Sequence, residues 1–158
     1  MVNERNRDVT TIIQRKMGAV DKIRRGGRRV NLSHVPDRTA DEVRVDVDRE
    51  VQKIDDASLL QGIKTFLITP RVEMRTWGWE KIPADYPVWI IAESSRYDYG
   101  IAFSDYGFAP EHPWGLVFLS HRNFDADYCW YSTLEDAYKD SRLLEEYQER
   151  QGFSDITG

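Results

Sequence analysis

Glu111 and His112 stand side by side between Pro110 and Pro113, and His121 follows nine residues later with Asp125 and Asp127 close behind it. Two imidazoles and neighbouring carboxylates are the donor types that hold a divalent metal. If the loops carrying them meet at one end of a sheet, His112, His121, Asp125 and Asp127 make a candidate metal set. Their spacing matches no established metal template, and partly exposed loop histidines are the competing reading. Asp98, Asp105 and Glu111 flank expected strand ends, where carboxylates serve acid–base chemistry or simply form turns. Cys129 sits between Tyr128 and Trp130 in an apolar patch, three residues before a helix cap at Ser132. That setting suits a packed cysteine better than a nucleophile, so no catalytic residue and no cofactor is assigned.

Aromatic residues are the most distinctive feature of the chain. Five Trp, eight Tyr and six Phe are present, and they concentrate after residue 76. The segment RVEMRTW, residues 71–77, alternates, with Arg71, Glu73 and Arg75 on one face and Val72, Met74 and Thr76 on the other. Trp77 and Trp79 continue the charged face. Trp and Arg together are typical of binding hot spots and of platforms that stack unpaired bases. The competing reading buries both tryptophans beneath the N-terminal helices.

The elements that must position these residues follow from periodicity. Within residues 1–30, Val9, Ile12, Ile13, Met17, Val20 and Ile23 form one helical stripe, ended by Gly26 and Gly27. Thr39 and Glu42 make a capping box before a second stripe of Ala40, Val43, Val47, Val51 and Ile54. Val43, Val45 and Val47 also alternate, but the longer stripe and the cap favour helix. Residues 56–63, DASLLQGI, add a short helical turn before Gly62. Strands are expected at 64–69, 71–77, 88–94, 101–107 and 114–120, with a last short one near 125–131. Pro70 falls at an edge or bulge between the first two. The apolar run at 88–94 reads as the central strand. Ser132 with Glu135 caps a final helix, with a phase break near Ser141 and Arg142 and a stop at Gly152. The short connections predict antiparallel neighbours. The expected fold is α+β: a four- to five-stranded antiparallel meander with N-terminal helices and a C-terminal helix packed on one face.

Charge divides the chain of 158 residues. Residues 1–30 hold nine Lys/Arg against three Asp/Glu, a local charge of +6, whereas residues 31–158 carry −11. A basic helical arm, 1–30, thus precedes a single acidic domain, 31–158. No run of about 18 apolar residues is present, so no membrane segment is expected. MVNERNRDV lacks the apolar core of a secretory signal, and one cysteine excludes an internal disulfide framework; both favour a reducing cytoplasm, or delivery by a route that needs no signal. Phosphate-binding, dinucleotide-binding, nucleophile-elbow and zinc-protease motifs are absent.

Three functions compete. The first is a protein-binding module of inhibitor type, a profile shared by immunity proteins that neutralise toxic nucleases, with Trp77, Trp79, Asp98, Asp105, Tyr106, Glu111 and His112 as candidate contacts. An acidic surface speeds association with a basic partner. The second is an enzyme or small-ligand binder built on His112, His121 and nearby carboxylates. The third is nucleic-acid association through the basic residues between 5 and 29, which the acidic body opposes.

Overall fold

The computed structural model describes residues 32–33, 36–78, 83–124 and 129–152. The stripe within residues 1–30, His34, Trp79, Asp125 and Asp127 lie outside the described residues. Among the described residues, ten elements follow one another: β1 (Leu32–Ser33), α1 (Ala40–Gln52), α2 (Ala57–Phe66), β2 (Leu67–Trp77), β3 (Ala84–Glu93), β4 (Tyr99–Phe103), β5 (Trp114–Phe118), β6 (Trp130–Tyr131), α3 (Leu134–Asp140) and α4 (Arg142–Arg150).

The fold is α+β. Strands β2 to β6 form an antiparallel meander in chain order, and β1 joins β3 in parallel at Ala84 and Asp85. β3 is the central strand, with β2 along one edge and β4 and β1 along the other. Register slips twice around it. Between Leu67 and Arg71, β2 gains residues relative to β3, at the expected bulge beside Pro70. Between Ile90 and Ala92, β3 gains one relative to β4.

The helices begin where side chains can satisfy their first N–H groups. Thr39 accepts from Glu42 N at 3.2 Å, and Asp56 accepts from Ser58 N and Leu59 N, both at 2.9 Å. Val43, Val47 and Val51 of α1 are buried, while Val45 faces out, which settles the helix-or-strand ambiguity. Two expectations need correction. Residues 64–66 are helical rather than strand, because α2 continues through Gly62 to bury Ile63 and Phe66. The last cap falls one residue later than expected: Thr133 accepts from Asp136 N at 3.1 Å. Ser141 separates α3 from α4 at the expected phase break, and Gly152, with φ of 77°, follows α4.

The sheet separates two cores. The four helices of the described residues cover one face, where Val43, Val47, Ile63, Phe66, Leu134, Tyr138 and Leu143 pack on Trp89, Ile91, Ile101 and Trp114. Among the described residues, no helix covers the second face. There Tyr86, Val88, Ile90 and Val117 pack against Tyr106, Phe108 and Phe124 from the connections between strands and against Trp130 of β6. Gly115 lets the Trp130 ring lie on β5, since a Cβ there would stand 2.6 Å from it.

The charged face of β2 lies on this second side. Arg71 donates to Glu93 at 2.8 and 3.2 Å and lies 3.5 Å from Glu73. Glu73 in turn accepts from Arg75 at 3.3 Å. The ladder runs inward: the Arg71 side chain is 46 % exposed and that of Arg75 0 %. A buried guanidinium needs acceptors. Arg75 donates to the carbonyls of Phe118 at 3.0 Å and Asn123 at 3.1 Å, so it fastens the β5–β6 connection to β2.

Candidate functional site

The residues singled out by sequence fall at two separate ends of the sheet. At the first end, the β3–β4 turn meets the segment leaving β5. Ser94 Oγ accepts from Arg96 N and Tyr97 N, each at 3.0 Å, which fixes the turn. Asp98 reaches across it. Its carboxylate accepts from Ser120 N at 2.8 Å and from the Ser120 hydroxyl, and its carbonyl accepts from Leu119 N at 3.3 Å. The two turns are thereby held together.

This junction displays aromatic rings. Tyr97 at the tip is 53 % exposed and stacks on Tyr99, with centroids 5.6 Å apart and planes 12° from parallel. Tyr99 stands opposite Phe118 in the β4–β5 register. Phe118 is 45 % exposed, and its ring centroid lies 4.8 Å from that of His121. The platform is anchored from beneath. Tyr99 Oη donates to Glu146 at 2.9 Å, and Arg150 donates to the other oxygen of Glu146 at 2.6 Å. Arg150 also lies over the Phe66 ring at 5.0 Å. Burial would raise the Glu146 pKa, but hydrogen bonds from Ser94, Tyr99 and Arg150 outweigh it and hold the carboxyl below its ordinary value. Burial, with the Glu146 contact, pushes the Tyr99 phenol up.

At the second end lies the β4–β5 connection, residues 104–113. Ser104 is buried; its Oγ donates to the Pro87 carbonyl at 3.0 Å and accepts from Tyr106 N at 3.1 Å. The Tyr106 ring is buried against Tyr86 at 4.9 Å, and its hydroxyl donates to Asp37 at 2.9 Å. Asp105 pairs with Arg38 at 3.2 Å, while Arg38 also binds Asp46 and lies 5.3 Å above Phe103. Gly107 adopts φ of 67°, and a Cβ there would stand 2.6 Å from the Phe124 ring. Ala109–Pro110 is a cis peptide. Glu111 is exposed and His112 half-buried at the loop's far side.

The candidate contacts therefore separate. Asp98 belongs to the first end; Asp105, Tyr106, Glu111 and His112 share the second. Trp77, expected among surface contacts, is 5 % exposed and lies in the second core, 4.8 Å from Phe108 and 5.4 Å from Phe124. Tyr106 is likewise interior. Among the described residues, Phe108 and Phe124 of the loops cover Trp77. His112 precedes β5 and His121 follows it, so they occupy opposite ends of a strand of five residues, a run of roughly 14 Å. Among the described residues, no three His, Cys, Asp or Glu are placed to hold a metal ion. Cys129 is half-buried against the second core. A cavity of about 210 Å³ opens between α1 and the start of β2, lined by Arg44, Val47, Asp48, Leu67, Ile68, Thr69 and Pro70, and it touches none of the candidate residues.

Sequence reasoning passed over Tyr97, Tyr99 and Phe118. Their signals are present but faint. Tyr97 and Tyr99 bracket Asp98 in the turn SRYDYG, and Trp114, Leu116 and Phe118 alternate onto one face. Alternation assigns Phe118 to the helix-covered side without revealing that it projects beyond the helices. Among the described residues, no helix is long and apolar enough to cross a membrane. Comparison with known proteins yields no matching family model, no matching curated protein and no matching solved structure.

Proposed function

We propose that the chain is a protein-binding module of inhibitor type, acting by association and not by catalysis, through the aromatic surface at the β3–β4 turn. The observation that supports this reading is the adjacency of Tyr97, Tyr99 and Phe118. Single exposed apolar residues are ordinary, but three neighbouring rings, one locked by buried Glu146, form a rigid apolar platform. Tyrosine and phenylalanine offer contact area at small conformational cost. Asp98, Arg96 and His121 supply a polar rim. The −11 charge on residues 31–158 favours a partner with a basic face.

The competing readings draw less support. An acid–base or metal centre on His112 and His121 loses its shared location, because β5 separates them. A nucleic-acid role rests on residues 5–29, outside the described residues. The test compares the wild-type chain with Tyr97→Ala/Phe118→Ala as bait in native-host extract. Both side chains are exposed, so circular dichroism and thermal midpoint should barely change. The expected result is one stoichiometric protein retained by the wild type and lost by the double variant. Identical retained proteins on both baits would refute the assignment.

A further inference from the structure

We propose that β2 is a self-association edge, on which a second copy of this chain pairs its own β2 antiparallel about a two-fold axis at Val72. The proposal is independent of the aromatic surface. On the side away from β3, Thr76 N donates to the Arg122 carbonyl at 2.7 Å, and the Thr76 carbonyl accepts from Phe124 N at 3.3 Å. Backbone groups in a strand alternate sides with a period of two. Met74 and Val72 therefore direct their N–H and C=O outward as Thr76 does. Among the described residues, nothing accepts or donates to them there. Val72 is 39 % exposed, one of four large apolar side chains left in water among the described residues.

The open window is short. The segment at 122–124 closes it at Thr76, and Pro70, which has no N–H, closes it together with the register shift at the other end. Such closures are how proteins restrict an edge, and they leave room for one short strand. The residues in the window favour a copy of themselves. Arg71, Val72 and Glu73 read basic, apolar, acidic. Antiparallel pairing centred on Val72 sets the two valines side by side, exchanging both N–H···O bonds. It also sets Arg71 of each copy opposite Glu73 of the other. The charge ladder Glu93–Arg71–Glu73–Arg75 then continues across the axis on the second face of both sheets. A parallel copy in the same register would set like charges opposite each other.

Sedimentation equilibrium of the full chain over a wide concentration range tests this. The wild type is expected to show a concentration-dependent monomer–dimer equilibrium. Val72→Pro removes the central N–H, and Arg71→Glu sets like charges opposite each other; each should weaken association by about tenfold or more with the circular dichroism spectrum retained. Should Val72→Pro fail to fold, Arg71→Glu decides, because that side chain is 46 % exposed. A wild type that stays monomeric at every concentration, or a dimer that Arg71→Glu leaves intact, overturns the proposal.

Discussion

Gly62 and Tyr138 form a pair whose coupling follows from their geometry. Gly62 lies inside α2, where glycine costs about 1 kcal/mol relative to alanine. A Cβ there would stand 2.1 Å from Tyr138 Oη, 3.1 Å from Tyr138 Cζ and 3.0 Å from Tyr147 Cδ1. Tyr138 is fully buried, and its hydroxyl has no hydrogen-bond partner among the described residues. Gly62→Ala alone sets the helix gain against an overlap that costs about 1–3 kcal/mol, so it should destabilise by up to about 2 kcal/mol. Tyr138→Phe removes a buried hydroxyl that gains nothing, and should be neutral or stabilising by about 1 kcal/mol. In the double variant the 2.1 Å overlap is gone, leaving only the carbon contacts at 3.0 and 3.1 Å. The helix gain is then recovered, and the double variant should exceed the wild type by about 1–2 kcal/mol. The predicted coupling is thus about 1–3 kcal/mol, read from urea denaturation of all four proteins. Additive single effects, or a Tyr138→Phe variant destabilised by more than about 1 kcal/mol, would refute the reasoning.

Two further outcomes follow from buried charge. Arg75→Met leaves the Asn123 carbonyl without its Arg75 donor, the Phe118 carbonyl with only His121 N, and Glu73 with only the long Arg71 contact. It should cost about 3–5 kcal/mol in urea denaturation, and faster amide exchange should be concentrated at 119–124. Glu146→Gln should cost about 2 kcal/mol at neutral pH. Because the folded carboxyl sits below the ordinary 4.5, the wild-type advantage is fully present above that value and is lost as pH falls through the folded pKa. Thermal midpoints of the two proteins should therefore converge in acid.

Much of the fold was legible because its elements carry periodic signals. The Thr39 cap and the Val43–Val47–Val51 stripe locate α1, and the apolar run at 88–94 marks β3, which starts earlier, at Ala84. The misses have physical causes. Gly62 looks like a helix stop, yet α2 tolerates it because Tyr138 and Tyr147 fill the space above it. Ser132 with Glu135 and Thr133 with Asp136 both satisfy the spacing of a cap, and the chain uses the second. Alternation placed Arg75 on the charged face of β2, but not in the interior, because the acceptors that make burial possible are carbonyls of a distant connection. The second core was illegible for the same reason: Tyr106, Phe108 and Phe124 come from segments without period. For the site, Asp98 was picked out for its charge, whereas it acts as a strut between two turns and the exposed rings beside it carry the surface.

The way the chain enters the fold has a mechanical consequence. β1 lies parallel to β3, and a few residues later Asp37 and Arg38 are bound to Tyr106 and Asp105. A pull transmitted through residues preceding Leu32 loads the β1–β3 hydrogen bonds along the strand axis, in shear, before it reaches α1. Any slip of β1 then draws on the Asp37–Tyr106 bond and on the 104–113 loop that seals the second core. Tension on the basic segment would thus be felt first at the face remote from the helices, by the loop that carries Glu111 and His112.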